Sequence, residues 1–202
     1  MKNAKCKYVI IPINGNPQSG KDTVVDLADK FIATKVENAA VWNISSVDCI
    51  KKFIGKGETD AKPRKIIGEI KRRVLSHNSN FFLNALKDEI KLITMSSNLS
   101  GIGSGKYGSY SISEGNEFTY VIFYHERDPK LINKVIDYFD NMDNFTVTPL
   151  YIKRNSVEPK SSWDQTDFVN YSPREFKPTI LHNNGDLGEL ECLVNAFIWG
   201  EL

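Results

Sequence analysis

One segment near the N-terminus constrains the fold of this chain more than any other. The motif Gly-x-x-x-x-Gly-Lys-Asp-Thr covers residues 15–23 and directly follows an apolar run at residues 8–13. Glycines let the backbone curl so that several N–H groups point at one anion. Residues 23–32 have helical apolar spacing, and the positive end of that helix dipole would face the same anion. The pattern predicts a strand, a phosphate-binding loop and a helix, with a nucleoside triphosphate as the ligand.

Two residues depart from the usual form of such a motif. Pro12 lies inside the predicted strand, where it lacks the N–H that a ladder hydrogen bond needs. Asp22 stands where a Ser or Thr commonly offers its hydroxyl to magnesium. A glycine-rich turn without a ligand is the plain alternative. The strand before the motif and the helix after it favour the phosphate-binding interpretation.

The composition limits the classes of partner. The 202 residues predict one domain with a substantial core. A net charge of +1 creates no field that would recruit nucleic acid or a membrane, so we expect small-molecule nucleotide substrates. The three cysteines lack metal-ligand or disulfide spacing, and no signal or membrane-spanning run is present. We expect a cytoplasmic protein, and the sequence leaves its oligomeric state open, a homodimer being one option.

Short β-like runs alternate with longer helical runs, which is typical of an α/β fold with a mainly parallel sheet. Residues 94–116 are polar and rich in Gly and Ser, so we predict a long loop there. The predicted strands are residues 8–13, 40–46, 118–124, 145–152 and 177–183, and the predicted helices are residues 23–32, 47–54, 61–77, 81–93, 130–139 and 186–199.

Four segments together resemble the P-loop nucleoside-monophosphate kinase superfamily, above all the phage-type deoxynucleoside monophosphate kinases and the animal-type phosphomevalonate kinases. They are the motif at 15–23, the strand and Asp-x-x-Lys segment at 42–51, the strand and His-x-Arg segment at 124–132, and the closing turn at 180–190. The family's third element reads Asp-x-Arg-x-x-x-Glu, and its final acid is missing near Leu131. Residues 94–116 match no part of the family.

The resemblance implies one domain over residues 1–202 with the three-layer α/β/α fold of P-loop kinases and five strands. It also implies a helical acceptor-binding region at about 48–93 and a small lid at about 153–177. The implied activity is ATP-dependent phosphoryl transfer with Mg²⁺ to a small phosphorylated acceptor, most typically a (deoxy)nucleoside monophosphate.

The resemblance also implies roles for individual residues. Lys21 would bridge the terminal phosphates of ATP, and Arg154 would be a lid arginine over the transferring phosphate. Asp22 is the implied metal ligand, and Thr23 stays open as an alternative. The implied nucleotide-binding residues are Gly15, Asn16, Gln18, Ser19, Gly20, Lys21, Asp22, Thr23 and Asn183.

The acceptor side is expected to be basic because the acceptor carries a phosphate. Arg64 and Arg72 lie on a strongly basic helical segment, which is alternatively a solvated helix face. Arg127 follows the predicted third strand, at the edge where ligands of open parallel sheets collect. Its alternative is an ion pair with a neighbouring acid. Asp48 would orient the acceptor, or would simply complement a helix dipole.

A different class of function also fits the motif. A nucleotide-binding P-loop protein without kinase activity, regulatory or degenerate, is favoured by Pro12, Asp22 and the missing acid near Leu131. Hydrolysis with water as the acceptor is disfavoured, because such enzymes usually need an Asp-x-x-Gly or hydrophobic-run-plus-Asp element and the run at residues 121–125 ends without one.

Overall fold

A parallel sheet forms the middle layer of the structure, a computed structural model that describes residues 6–54, 64–100, 102–104, 109–111, 117–156 and 178–202. The strands are β1 (Cys6–Gly15), β2 (Ala39–Ser45), β3 (Ile102–Ser104), β4 (Ser109–Ser111), β5 (Phe118–His125), β6 (Phe145–Val147), β7 (Leu150–Lys153) and β8 (Thr179–His182). The helices are α1 (Lys21–Lys35), α2 (Asp48–Ile54), α3 (Arg64–His77), α4 (Phe81–Ser100), α5 (Pro129–Phe139) and α6 (Leu187–Glu201).

The main sheet has the strand order β2-β5-β1-β7-β8, and every pair in it is parallel. β6 also pairs with β1, in the same register as β7, so β6 and β7 share one strand position. The sheet therefore has five positions with β1 in the centre. Helices cover both faces, and the order is that of a P-loop-like topology, which confirms the predicted fold class.

Alternation along β1 divides the core into two layers. Val9, Ile11 and Ile13 pack towards α1 and α6, while Tyr8 and Ile10 pack towards α4 and α5. Because both faces of the strand are covered, β1 reads as a continuous apolar run rather than as an alternating one. Each such side chain contributes about 1.5–3 kcal/mol on burial. Packing on both faces therefore holds β1 in place, and with it the residue from which the loop begins.

Pro12 is tolerated in this central strand because of a break in the neighbouring position. Ile10 O accepts a hydrogen bond from Thr148 N at 3.0 Å, and Pro12, two residues on, has its nitrogen on the same side. In the shared register Pro12 lies opposite Pro149, where the predicted strand 145–152 divides into β6 and β7. The missing donor therefore falls where the ladder is already interrupted.

The predicted long loop at residues 94–116 is wrong in its first part. α4 continues to Ser100, and β3 and β4 form a two-stranded antiparallel pair. Within this longer helix Thr94 Oγ1 donates to Ile90 O at 2.8 Å and lies 2.8 Å from the Tyr8 hydroxyl, a contact that joins α4 to β1. The helical region from α2 to α4 agrees with the sequence. The predicted lid lies outside the described residues except for 153–156.

Two helices that follow strand ends of the main sheet begin with acidic caps. Asp128 accepts a hydrogen bond from Lys130 N at 2.9 Å and is followed by Pro129 as the first residue of α5. Asp186 accepts from Glu189 N at 2.9 Å and begins α6. In the part of the chain that the structure describes, we find no helix with both the length and the apolarity needed to cross a bilayer.

Candidate phosphate-binding site

The loop between β1 and α1 requires glycine at its first and last bends. Gly15 has φ +146°, and a Cβ there would lie 2.5 Å from the Ile152 carbonyl oxygen. Gly20 has φ +97°, and a Cβ there would lie 2.4 Å from Asn183 Nδ2. Both the left-handed backbone and the close neighbours exclude side chains. The two glycines of the motif are therefore explained by the geometry of the loop itself.

Side chains from two strand ends hold this loop in place, and a backbone hydrogen bond closes it. Asn14, fully buried at the end of β1, accepts from Gly15 N at 2.6 Å through Oδ1. Asn183, just after β8, donates from Nδ2 to Ser19 O at 2.8 Å. Ser19 N closes the turn by donating to Asn16 O at 3.1 Å. The family resemblance implies that Asn183 binds nucleotide; in the structure its side chain holds the loop backbone through Ser19 O.

Lys21 lies across the mouth of the loop. Its Nζ donates to Gly15 O and to Asn16 O, both at 2.8 Å. Gly20 is the N-cap of α1 and no side-chain hydrogen bond caps this helix start. The ammonium group and the uncapped first-turn amides thus belong to the same helix start, where the helix dipole favours an anion.

Asp22 and Thr23, the two alternatives for the metal role, are both exposed in the first turn of α1. Within the described ranges no three His, Cys, Asp or Glu side chains are grouped so that they could hold a metal ion. Magnesium in phosphate sites is held by one or two carboxylates together with phosphates and water. The exposed carboxylate of Asp22 fits that requirement.

His125 lies at the sheet edge from which the loop leaves β1. It is the last residue of β5 and lies in register with Ile13 of β1 and Ser45 of β2. Its Nε2 is buried and has no hydrogen-bond partner among the residues that the structure describes. The sequence indicated only that this histidine was near the site.

The charge state of His125 follows from its surroundings. Burial lowers its pKa from 6.5 to about 4; the carboxylates of Asp22 and Asp48 oppose the shift, and the ammonium groups of Lys21 and Lys51 add to it. His125 is therefore neutral at physiological pH. The registers that place His125 beside Ile13 and Ser45 bring the strand before the loop and the strand before α2 to the same sheet edge.

We expect acid to destabilise the protein through His125. The folded state keeps this residue neutral to about pH 4, whereas the unfolded chain binds the proton near pH 6.5. Stability should fall as the pH drops through this window, by up to about 1.4 kcal/mol per pH unit. Urea unfolding between pH 7.5 and 4.5 measures the slope. His125→Gln should reduce the slope and exposed His182→Gln should not; equal slopes in wild type and His125→Gln would contradict the assignment.

Glu126 is the functional candidate that sequence reasoning missed. It is 2% exposed, and its Oε1 accepts hydrogen bonds from Lys71 Nζ, Arg127 N (2.7 Å) and Asp128 N (2.8 Å). Its Oε2 is buried and makes no hydrogen bond with any described residue. Glu126 directly follows the run at 121–125, and sequence reasoning considered it only as an ion-pair partner of Arg127. An acid after a buried strand was the available signal.

The other predicted site residues are Arg127, Asp48 and Arg154, and they differ in exposure and in the contacts that they make. Arg127 is partly buried beside Asn14, whose Nδ2 donates to the Arg127 carbonyl at 3.4 Å. Asp48 accepts a hydrogen bond from Ser45 N at 3.0 Å and forms an ion pair with Lys51 at 2.7 Å. These two contacts give Asp48 a structural role at the start of α2. Arg154 is exposed just after β7.

The basic side chains of α3 differ in how far they are exposed to solvent. Lys71 reaches Glu126 and is only 16% exposed, so it belongs to the interior rather than to a surface phosphate site. Arg72 and Arg73 are exposed on α3. Arg64 begins α3, and its side chain lies outside the described part of the structure. Lys71, which belongs to the same basic segment as Arg72, is thus an internal ion-pair partner.

The fold and this loop define an α/β protein with P-loop-like topology and a glycine-bounded loop between the central strand and α1. No family model matches the chain, and a search of curated proteins finds no match to it.

Proposed function

We propose that this protein transfers the γ-phosphoryl group of ATP to a small phosphorylated acceptor, a (deoxy)nucleoside monophosphate, and that it is related to the P-loop nucleoside-monophosphate kinases. The observation that carries the proposal is the loop itself, in which Lys21 Nζ lies 2.8 Å from two loop carbonyls at the uncapped start of α1. A nucleoside triphosphate supplies the polyphosphate that such a loop binds.

The reaction requires placement and charge neutralisation more than covalent chemistry by the protein. An oxygen of the acceptor phosphate forms a bond to the γ-phosphorus, the bond from that phosphorus to the β–γ bridging oxygen breaks, and ADP leaves. A phosphate dianion attacks without losing a proton. Lys21, Arg127 and Arg154 would neutralise the charge on the transferring group. Asp22 would hold Mg²⁺, which supplies further neutralisation of phosphate charge when bound.

A coupled assay of ADP release tests the proposal. The purified protein is given ATP and Mg²⁺ with each nucleoside monophosphate in turn. Release that one monophosphate stimulates supports the kinase. Release in water alone, or ATP binding without release, contradicts it and supports hydrolysis or a non-catalytic nucleotide-binding role respectively.

Arg127→Ala should raise the KM for the acceptor by about tenfold and change the KM for ATP much less. Arginine pairs with phosphate through charge-assisted hydrogen bonds, and this side chain follows the strand end nearest the loop. Steady-state kinetics with each substrate varied measures both constants. Lys130→Ala, an exposed change three residues away, is the control. A larger effect on ATP than on the acceptor would contradict the assignment.

A further inference from the structure

Arg127 has both of its backbone polar groups held by buried side chains. Its N–H donates to Glu126 Oε1 at 2.7 Å, and its carbonyl accepts a hydrogen bond from Asn14 Nδ2 at 3.4 Å. Glu126 is 2% exposed, and Asn14 is fully buried. Arg127 lies between the end of β5 and the start of α5, so no regular ladder supplies these bonds. Two side chains do so instead.

The Glu126 carboxylate fixes the turn that leads from β5 into α5. The same oxygen, Oε1, also accepts a hydrogen bond from Asp128 N at 2.8 Å, so one oxygen holds two consecutive backbone N–H groups. Hydrogen bonds to an ionised acceptor are about twice as strong as neutral ones. Asp128 in turn accepts from Lys130 N at 2.9 Å. Acidic side chains therefore fix the backbone on both sides of Arg127.

Lys71 balances the charge of the Glu126 carboxylate. Its ammonium group, on α3, donates to Oε1 of Glu126 and lies 5.3 Å from the centre of the Phe82 ring on α4. A carboxylate this deeply buried would be costly without a cation beside it. The ion pair thus allows a charged acceptor to stand inside the protein, under the turn that carries Arg127.

Asn14 joins this turn to the loop between β1 and α1. Its Oδ1 accepts a hydrogen bond from Gly15 N at 2.6 Å, while its Nδ2 donates to the Arg127 carbonyl. The two ends of one amide group therefore hold the first residue of the loop and Arg127. Glu126 N also donates to Ile13 O at 3.4 Å, directly before Asn14 in β1. The loop and Arg127 are fixed relative to one another through the end of β1.

We propose that Glu126 is a positioning residue that holds Arg127 where it binds the acceptor phosphate, and that Asn14 fixes this place relative to the loop. The inference rests on the proposed function, in which Arg127 pairs with the acceptor. Transfer requires the donor and acceptor phosphates at a set separation. A group that is ordered before binding also loses less entropy when the ligand arrives. Glu126 thus serves binding without touching the substrate.

Calorimetry without ATP tests the proposal through the affinity for the acceptor. The probe is whichever of AMP, GMP, CMP, UMP and dTMP the wild type binds most tightly. Glu126→Ala should weaken its binding by about fivefold, because the turn loses the acceptor of two N–H groups. Glu126→Gln should bind within about twofold of the wild type, since an amide oxygen still accepts both bonds. Equal weakening in the two variants, or wild-type affinity in Glu126→Ala, would overturn the proposal.

Lys71→Met is the control that separates positioning from loss of stability. It removes the ion pair but leaves both backbone hydrogen bonds to Glu126. We expect it to destabilise the protein and to keep the affinity for the probe within about twofold of the wild type. A fivefold loss of affinity in Lys71→Met would show that softening of the region is enough to weaken binding, which would contradict a specific role of the turn.

A double-mutant cycle checks that Glu126 acts through Arg127. In an Arg127→Ala background, Glu126→Ala should weaken binding of the probe by less than about twofold further, because the side chain that it positions is already gone. A further loss of about fivefold in that background would mean that Glu126 acts on the acceptor independently, and the proposal would be overturned.

NMR relaxation of the wild-type backbone amides covers the case in which Glu126→Ala does not fold. Without ligand, the amides of Arg127 and Asp128 should have order parameters of about 0.85, as in rigid backbone, and the probe should leave them unchanged. An order parameter below about 0.6 at Arg127 would reveal a flexible turn and overturn the proposal.

ADP release measured in parallel separates this inference from the proposed function. Binding of the probe that depends on Glu126, without any stimulated release, would support the positioning role and contradict the kinase. Stimulated release with the same acceptor KM in wild type and Glu126→Ala would support the kinase and overturn the positioning role. If the wild type binds none of the five monophosphates, the positioning role is overturned as well.

Discussion

Lys21→Ala should lower the rate of ADP formation by about 10²- to 10³-fold while the protein stays folded. The ammonium group is the positive charge that the loop aims at the terminal phosphates, and losing such a group removes stabilisation of the transition state. Lys21 is partly exposed at the first turn of α1, so its removal leaves the core unchanged. The coupled assay measures the rate, and circular dichroism with thermal unfolding checks the fold.

Lys35→Ala is the matched control for that experiment. Lys35 is exposed in the last turn of the same helix, at the end away from the loop. We expect near wild-type turnover from it. If Lys21→Ala turned over as fast as Lys35→Ala, the proposed role of Lys21 would be wrong, and the proposed function would be contradicted with it.

Glu126→Ala should produce the largest loss of stability among the changes considered, about 3 kcal/mol. The substitution removes the acceptor of two backbone N–H groups and leaves the Lys71 ammonium without its buried partner. For a domain of this length, such a loss lowers Tm by about 6–12 °C. Calorimetry and urea unfolding measure the loss.

Two further variants divide the Glu126 effect into its parts. Lys71→Met should cost less than Glu126→Ala, because the carboxylate keeps its two backbone donors. Glu69→Ala, an exposed change on α3, should alter the stability by less than about 0.5 kcal/mol. If Glu126→Ala is no more destabilising than Glu69→Ala, the buried cluster does not hold α3 to the sheet edge.

Much of the fold could be predicted because its signals are local. The run at 118–124 is apolar along its whole length, as a strand buried on both faces must be, and it forms β5. Asp128 and Pro129 mark the start of α5 in the sequence, and the structure places them at the cap and first helical positions. The glycines at 15 and 20 likewise predicted the bends of the loop.

Other features could not be predicted because their causes are far apart in the chain. α4 continues past residue 94, and at that residue the Thr94 hydroxyl bonds the Tyr8 hydroxyl, 86 residues away in the chain. β6 and β7 divide where two prolines, 137 residues apart in the chain, lie opposite each other in the shared register. Local propensity contains no information about either partner, and hydrogen bonds and pairing register override it.

The sequence by itself determined the strand, loop and helix at the N-terminus, since steric limits on backbone conformation and apolar periodicity act between near neighbours. Only the tertiary structure decided what stands beside that loop. It buried Glu126 against Lys71 and made His125 neutral. Burial and desolvation depend on the packing of distant segments, so these properties arise only when the chain is folded.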